Sequence, residues 1–295
     1  MPRCDIAFIG HVCIDRIVPY DGAVQTAPGS AVLCGAMAAA RVGARVAVYT
    51  RMAPTDAEIL DALREVGVTC TVVPAEATTF MEVVHPSADV DVREMRQVRS
   101  AGFFAAEQIE GLDATFVHLA GITDQEFTPS FMADLKAAGH SLSVDMQSFV
   151  RQVDAGSRVI SFRDVLGKEE IVALMDRVKL DIVEARLLTG EGDLEAAAKH
   201  FERWGCPETV ITCADGVLAR VGGRTLYERF SNTSTVGRTG RGDTTFAGYM
   251  AWRLEHDPAE ALKFAAALVS IKMESAGPFR GSLEDVLERV KARHP

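Results

Sequence analysis

Strand-length apolar runs alternate with helix-length amphipathic segments along most of this chain. Strands are predicted at Asp5–Gly10, Val46–Tyr49, Thr115–Leu119, Ser141–Val144, Asp181–Val183 and Glu208–Thr212, and a hairpin at Val217–Phe230. Helices are predicted at Ala31–Val42, Thr55–Val66, Phe127–Ala138, Lys168–Val178, Asp193–Trp204, Thr244–Leu254, Ala259–Glu274 and Leu283–Lys291. This alternation is typical of an α/β fold with a mostly parallel sheet and helices on both faces.

Two segments interrupt the alternation, at about residues 14–28 and 76–100. Within the second, Thr79–Val84 and Val90–Met95 alternate apolar and polar residues with no helix after them, which predicts antiparallel strands. We expect the two segments to form a small β lid inside one domain that spans residues 1–295. Such a lid either covers a site or pairs with a second copy, so a homodimer through the lid is one prediction.

The composition limits the partners that this chain can have. Of 295 residues, 31 are Lys or Arg and 41 are Asp or Glu, a formal charge of −10 that argues against binding nucleic acid or an anionic membrane. No stretch approaches the roughly 20 apolar residues of a membrane helix. The six cysteines lack the spacing of zinc ligands, and scattered thiols of this kind indicate a reduced, cytoplasmic protein.

The most informative segment is Gly240-Arg-Gly-Asp243, which directly precedes an apolar helix. Glycines at a helix N-terminus let backbone N–H groups point outward together, and the helix dipole adds partial positive charge there. A carboxylate beside such an anion site suits a base that activates a hydroxyl for attack on a phosphoryl group. Taken alone, the tetrapeptide favours the simpler interpretation of a turn with an N-cap aspartate.

Two segments near the N-terminus also point to a ligand. Asp15 follows the first predicted strand, and ligands of α/β sheets bind at the carboxyl ends of the strands. Gly29 and Ser30 open a helix rich in Ala, Gly and Cys, which allows a close approach. The simpler interpretations are a loop aspartate and tight packing of a helix against the sheet.

Five segments, in chain order and over nearly the whole chain, resemble motifs of the ribokinase-like (PfkB) carbohydrate kinases. They are Gly10 to Asp15 for the family's Gly…Asp strand end, Gly29-Ser30-x-x-x-Cys34 for its Gly-Gly-x-x-x-Asn, Asp181 to Gly190 for its Asn-x-x-Glu-Ala-x-x-Leu-Thr-Gly, Thr212 to Gly216 for its Thr-x-Gly-x-x-Gly, and Gly237 to Phe246 for its Asp-Thr-Thr-Gly-Ala-Gly-Asp-Thr-Phe. Each motif alone is weak, whereas the ordered set is specific.

The resemblance implies a ribokinase-like three-layer αβα sandwich, with ATP and Mg²⁺ as cofactors. It assigns Asp243 as the general base, and the anion hole to Gly240, Arg241, Gly242 and the Asp243 amide. It assigns the substrate to Asp15, Gly29, Ser30 and Cys34. It assigns the nucleotide and its metal to Asp181, Glu184, Thr212, Gly216, Ser270 and Gly277, with Glu184 acting on Mg²⁺ through water.

Several positions depart from the family motifs. Ser30 replaces the second glycine of the sugar-binding pair, and Cys34 replaces an asparagine whose amide would both donate and accept hydrogen bonds. Asp181 replaces an asparagine, and Arg241 replaces a small residue. The first aspartate of the signature, which helps to hold a monovalent cation in many members, is Gly237, so no potassium requirement is expected.

One further motif bears on the substrate. Asp145, Gln147 and Arg151 follow a predicted strand, where family members often carry similar residues near the phosphates. The glutamine is similar to that of the inositol-kinase-like branch. Arg151 fits a surface charge equally well.

The leading hypothesis is an ATP-dependent kinase that transfers the γ-phosphoryl group to a hydroxyl of a small sugar or polyol, inositol-like polyols included. The alternatives are a nucleoside kinase of the same family and a catalytically weak sugar-binding regulator on the same fold. A nicotinamide-dependent oxidoreductase is disfavoured, because Gly10 to Asp15 lacks the Gly-x-Gly-x-x-Gly run after the first strand.

Overall fold

The computed structural model of the chain describes residues 3–88, 92–109 and 111–293. Its strands are β1 (Cys4–Ile9), β2 (Cys13–Val18), β3 (Gln25–Gly29), β4 (Val46–Met52), β5 (Thr69–Pro74), β6 (Thr79–Val84), β7 (Glu94–Arg99), β8 (Ala114–Leu119), β9 (Leu142–Asp145), β10 (Arg151–Val153), β11 (Ile160–Phe162), β12 (Arg177–Asp181), β13 (Glu208–Thr212), β14 (Gly216–Val221) and β15 (Arg224–Arg229). Its α-helices are α1 (Ala31–Arg41), α2 (Asp61–Glu65), α3 (Pro129–Ala137), α4 (Gln147–Val150), α5 (Lys168–Ala173), α6 (Ile182–Thr189), α7 (Leu194–Arg203), α8 (Arg241–Arg253), α9 (Pro258–Met273) and α10 (Leu283–Arg293).

The main sheet runs in the order β15-β14-β13-β12-β9-β8-β1-β4-β5. All neighbouring pairs from β13 to β5 are parallel, whereas β14 and β15 are added as antiparallel strands at one edge. The predicted mostly parallel α/β architecture is therefore confirmed. The carboxyl ends of β1, β9, β12 and β13 consequently share one edge of the sheet, where ligands bind in folds of this type.

Helices cover both faces of the sheet, because side chains of each strand alternate between the faces. In β1, Ile6 and Phe8 join a core formed with α1, α8 and α9, and Ala7 and Ile9 join a second core formed with α3, α6 and α7. Gly35 lets α1 approach closely, since a Cβ there would lie 2.7 Å from the Phe8 ring. The result is three layers, helices on a sheet on helices.

A separate four-stranded sheet, hereafter the small sheet, runs in the order β3-β2-β6-β7. It confirms the predicted strand Thr79–Val84. Of the predicted strand Val90–Met95, residues 90 and 91 lie outside the described residues, and the observed strand begins at Glu94. The small sheet combines segments on either side of α1 and β4 in the chain, within the two regions predicted to form the lid.

The predicted helix Lys168–Val178 and the predicted strand Asp181–Val183 are wrong. Helix α5 ends at Ala173, the central strand β12 covers Arg177–Asp181, and helix α6 begins at Ile182. Charged residues inside β12 made the pattern resemble an amphipathic helix. Both charges are buried in pairs instead, Arg177 against Glu208 at 3.1 Å and Lys179 against an aspartate described below.

The predicted helix Thr55–Val66 is split in the structure. A 3₁₀ segment covers Pro54–Leu60, and α2 covers Asp61–Glu65. The tighter 3₁₀ winding is common in short connecting segments.

Candidate functional site

Strand register brings three of the candidate polar residues to one edge of the main sheet. Lys179 lies opposite Asp145 in the β12–β9 pair, and Asp181 lies opposite Thr212 in the β12–β13 pair. The N-terminus of α8 faces this edge, because its Asp243 contacts Lys179. The site is therefore built where the parallel strands end.

A buried lysine links two carboxylates at the centre of this edge. The Lys179 Nζ donates to Asp145 Oδ2 at 2.6 Å and lies 3.4 Å from Asp243 Oδ1. Lys179 is 4% exposed and Asp145 is fully buried. Burial alone would lower the pKa of Lys179, but Asp145 and Asp243 outweigh it and raise that pKa above its usual value. The lysine therefore stays charged and compensates both carboxylates.

Lys179 was missed as a site residue in the sequence, since it falls between the predicted helix Lys168–Val178 and the predicted strand Asp181–Val183. A sequence signal was present: Lys179 lies between the apolar residues Val178 and Leu180, just before the candidate residue Asp181. A buried lysine needs acceptors that compensate its charge, so a lysine at such a position signals a polar partner nearby.

The first turn of α8 leaves backbone N–H groups directed at the same place. Gly240 is the N-cap, in the left-handed region with φ of 75°, and supplies no side-chain cap. The Arg241 amide donates to the Arg238 carbonyl at 3.1 Å. The amides of Gly242 and Asp243 lie in the first helical turn, where helix geometry provides no backbone acceptor. N–H groups arranged in this way suit an anion, so this turn is a candidate anion site next to the Asp243 carboxylate.

The packing of Lys179 against Gly242 leaves no space for a side chain at position 242. A Cβ at position 242 would lie 2.9 Å from both Cε and Nζ of Lys179. The absent side chain thus leaves the room in which the lysine ammonium sits beneath the turn.

Cys34 contacts the same turn from α1. A Cβ at Gly240 would lie 2.6 Å from the Cys34 Sγ. Burial raises the pKa of the Cys34 thiol to about 12, and Asp243 adds to the shift. Cys34 is therefore an uncharged group packed against the anion site.

Asp15 and Gly29, both assigned to the substrate by the family resemblance, meet on the small sheet. A Cβ at Gly29 would overlap Oδ2 of Asp15 and lie 2.8 Å from its Cγ. Burial raises the pKa of Asp15, against the nearby charge of Arg151. The Asp15 Oδ1 accepts a hydrogen bond from the Cys13 thiol at 3.1 Å.

Ser30 follows Gly29 and begins α1. Its backbone φ of 152° lies in a region that favours glycine, and its Oγ accepts from the Leu33 amide at 3.1 Å. A strained non-glycine residue at this turn costs about 1–3 kcal/mol and indicates a functional constraint.

Arg151 lies between the two ends of the site. Its charge lowers the pKa values of both Asp15 and Glu184, although burial raises each of them overall. Its Nε is buried and has no hydrogen-bond partner among the described residues, and its guanidinium lies over the Phe162 ring at 5.7 Å. A buried donor without a partner is costly, so this group is placed to bind an anion.

Asp181 and Glu184 form a capping box at the start of α6. Asp181 Oδ1 accepts from the amides of Val183 and Glu184, and Glu184 Oε2 accepts from the Asp181 amide at 2.9 Å. Burial, followed by the charges of Asp181 and Asp145, raises the pKa of Glu184 to about 8. Among the described residues, no cluster of three or more His, Cys, Asp and Glu side chains could hold a metal ion directly.

The four other residues predicted at the nucleotide lie in different surroundings. The Thr212 Oγ1 is buried with no partner among the described residues and lies 3.7 Å from where a Gly242 Cβ would be. The space beside Gly216 is filled by Tyr227 and the Glu228 carbonyl. The Ser270 Oγ donates to the Ala266 carbonyl and accepts from the Ser231 amide.

Gly277, the last of the four, has a left-handed backbone with φ of 86°. A Cβ there would lie 3.7 Å from an Arg280 guanidinium nitrogen. Of these four, Thr212 is the one that the structure brings to the Gly242 turn.

None of the helices in the described part of the chain combines the length and apolar character that crossing a membrane needs.

Comparisons with known proteins agree with this geometry. The model of the pfkB family of carbohydrate kinases matches residues 4–285. The cytidine kinase of Thermococcus kodakarensis is 30% identical over 266 residues, which span 87% of this chain and 91% of that protein.

Two solved structures share most of the chain. A sulfate complex of a pyrophosphate-dependent kinase in the ribokinase family has a TM-score of 0.88 and 32% identity, covering 96% of this chain and 99% of that chain. A pyrophosphate-dependent kinase of the ribokinase family, in complex with a pyrophosphate analogue and myo-inositol, has a TM-score of 0.87 and 30% identity, with the same coverage. The predicted ribokinase-like fold is confirmed.

Proposed function

Because the chain belongs to the pfkB family of carbohydrate kinases, we propose that it phosphorylates a hydroxyl of a small polyol, with myo-inositol as the first acceptor. The observation that carries the proposal is Lys179, which joins the Asp243 carboxylate to Asp145 beneath the free amides of α8. The Lys179 side chain thus lies beside both the proposed base, Asp243, and the proposed anion site.

In the proposed mechanism, Asp243 takes the proton from the acceptor hydroxyl as its oxygen attacks the phosphorus. The bond between the transferred phosphoryl group and the leaving phosphate oxygen breaks in the same step. The amides of Gly242 and Asp243 stabilise the negative charge of the transferred group, and Lys179 lies 3.4 Å from the Asp243 carboxylate and compensates its charge. Positioning and charge stabilisation supply most of the rate enhancement in phosphoryl transfer.

The acceptor is proposed to lie between the small sheet and α1. Asp15 accepts hydrogen bonds from acceptor hydroxyls, and Gly29 leaves room for that carboxylate. The Ser30 hydroxyl accepts from Leu33 and retains its own hydrogen for donation. Cys34 presents a thiol to the acceptor in place of an amide. A cyclic polyol, with hydroxyls on every carbon, suits this mixture of one carboxylate and one hydroxyl.

Pyrophosphate is proposed as the donor, ahead of the ATP that the sequence suggested. Two of the buried polar atoms without partners among the described residues support this donor: Thr212 Oγ1, beside the Gly242 turn, and Arg151 Nε, whose charge reaches both Asp15 and Glu184. Gly216 and Ser270, expected at the nucleoside, are occupied by contacts within the protein. The similarity to pyrophosphate-dependent kinases at 30–32% identity supports the same donor. ATP remains the alternative.

Mg²⁺ fits the site through water rather than by direct ligation. Glu184 is 1% exposed and already accepts from the Asp181 amide, so its free oxygen can hold a metal-bound water. Burial is the main cause of the raised pKa of Glu184, and the charges of Asp181 and Asp145 add to it; a divalent cation would offset that repulsion. When bound, Mg²⁺ supplies positive charge for the phosphates of the donor.

A nucleoside kinase is the second candidate function, favoured by the 30% identity to a cytidine kinase. The two candidates differ in the acceptor alone. Homodimer formation through the small sheet also stays a prediction. Sedimentation of the protein with and without acceptor measures it.

The experiment is a matrix of two donors, pyrophosphate and ATP, against myo-inositol, ribose and cytidine, with Mg²⁺ present. We expect the highest kcat/KM for pyrophosphate with myo-inositol. The Asp243→Asn protein serves as the matched control for contaminating kinases. Cytidine as the preferred acceptor establishes the second candidate, and no transfer from either donor refutes the polyol kinase.

A further inference from the structure

Lys272 is a second buried lysine, and the mechanism above does not use it. It lies in the last turn of α9 and is 1% exposed. Its Nζ donates to the carbonyl oxygens of Gly237 and Thr239. These residues belong to the loop that leads directly into Gly240 and the first turn of α8.

The loop is fitted closely around this ammonium group. The Gly237 amide donates to the Met273 carbonyl at 2.9 Å. A Cβ at Gly237 would overlap the Ser275 carbonyl oxygen and lie 2.6 Å from the Lys272 carbonyl oxygen. No side chain can therefore stand at position 237 while the loop keeps this path, and a lysine from the neighbouring helix reaches its carbonyls instead.

Carbonyl oxygens that converge on one buried point repel one another unless a positive charge or donor lies between them. Oxygen atoms in such an arrangement are also the ligands that hard cations bind. An ammonium group with three donors satisfies two of these carbonyls at once. Burial lowers the pKa of Lys272, while Cys34 and Asp243 act in the opposite direction, so the group lies close enough to the proposed base to share its field.

We infer that Lys272 is a tethered cation that does the work of a bound monovalent ion: it gathers the Gly237 and Thr239 carbonyls and thereby holds the α8 turn in its anion-binding shape. Lys272 is thus a positioning residue for the proposed phosphoryl transfer, and the inference rests on that proposed function. Two consequences follow. The natural protein needs no added monovalent cation, and removal of the side chain leaves a cavity lined by carbonyls that a small cation can fill.

The alternative is a lysine that only satisfies the end of α9, as basic residues near helix C-termini often do. That role would make Lys272→Ala less stable without making it dependent on any particular cation. The two roles are separated by whether the Tm and kcat of Lys272→Ala recover only with cations of a particular size and charge.

The experiment compares the natural protein with Lys272→Ala, Lys272→Met and Lys263→Ala in potassium, ammonium, sodium and choline chloride at one ionic strength. Lys263 is on the same helix and serves as the matched control. Melting temperature reports cation binding without any assay of activity, and kcat is measured with the donor and acceptor found best above.

Between potassium and choline chloride, we expect kcat of the natural protein to change by less than about twofold and its Tm by less than about 2 °C. The same limits should hold for Lys263→Ala, because they are about the scatter expected for a surface change. Lys272→Ala should lose about tenfold or more of kcat in choline, since a shift of the turn by a fraction of an ångström suffices. Potassium or ammonium should raise its Tm and restore its kcat in a saturable way. Lys272→Met fills the cavity and should not respond.

Absence of a selective rise in Tm for Lys272→Ala overturns the inference, as does a potassium requirement of the natural protein. If Lys272→Ala does not fold in choline, Lys272→Ser replaces it, because serine keeps the cavity polar. Failure of both Lys272→Ala and Lys272→Ser to fold in potassium also overturns the inference. A selective Tm response with no phosphoryl transfer by any variant supports the cation site and refutes the proposed function instead.

Discussion

The contact between Gly29 and Asp15 provides the sharpest test of the acceptor site. In Gly29→Ala, the new methyl group would overlap the Asp15 Oδ2 and lie 2.8 Å from its Cγ. Carbon atoms pack no closer than about 3.5 Å, so the carboxyl group must move by roughly 1 Å. Because the overlapped atom ends a short side chain, the carboxylate can swing away and the fold should change little.

A displacement of roughly 1 Å in a positioning group costs about 10²-fold in rate, which corresponds to about 2.7 kcal/mol of transition-state stabilisation. We therefore expect Gly29→Ala to lower kcat/KM for the acceptor by about 10²-fold. The donor KM should change little, since the donor residues lie on other elements. Steady-state kinetics with each substrate varied in turn measures both constants.

Two controls separate this effect from general damage. Gly192→Ala adds the same methyl group where no atom lies within 4 Å, so its kinetics and Tm should match those of the natural protein. In an Asp15→Ala background, which itself should raise the acceptor KM far more than the donor KM, Gly29→Ala should have no further effect. Equal losses for donor and acceptor, or full additivity of the two changes, would refute the reasoning.

The remaining predictions concern the base and the lysine beneath it. Asp243→Asn should lower kcat by about 10²–10⁴-fold with an unchanged Tm, because it removes a general base without removing volume, and kinetics of the folded variant checks this. Gly242→Val should displace Lys179, since a Cβ at position 242 would lie 2.9 Å from the lysine Nζ, and it should lower the single-turnover rate without changing acceptor affinity. If the segment is only a turn, the variant should instead have a lower Tm and an unchanged rate per folded molecule. Lys179→Met should cost about 3–5 kcal/mol of unfolding free energy by leaving Asp145 buried and unpaired, and Lys179→Met with Asp145→Asn should recover much of it in urea titrations.

Local sequence determined the class of fold and the first turn of the catalytic helix. The alternation of strand and helix patterns is a property of neighbouring residues, so it predicted the parallel sheet and its covering helices. Gly240, Gly242 and Asp243 adjoin the apolar start of α8, and a helix N-terminus with outward amides follows from those residues alone. The family resemblance assigned Asp15 and Gly29 to the substrate, and their mutual contact became visible only in the structure.

Only the tertiary structure showed which groups pair with the buried cations Arg177, Lys179 and Lys272. The sequence pattern placed Arg177 in a helix and Lys179 in the connection after it, yet each is in a central strand and is neutralised by a carboxylate from a distant segment. Lys272 lies at the end of a mostly apolar helix, and its partners are backbone carbonyls 33 and 35 residues away. Burial of an ion depends on its partner, and partners brought together by sheet register or helix packing leave no periodic trace in the sequence. For that reason the proposed base and its helix could be predicted from local residues, whereas the two buried lysines beside that turn became visible only in the folded chain.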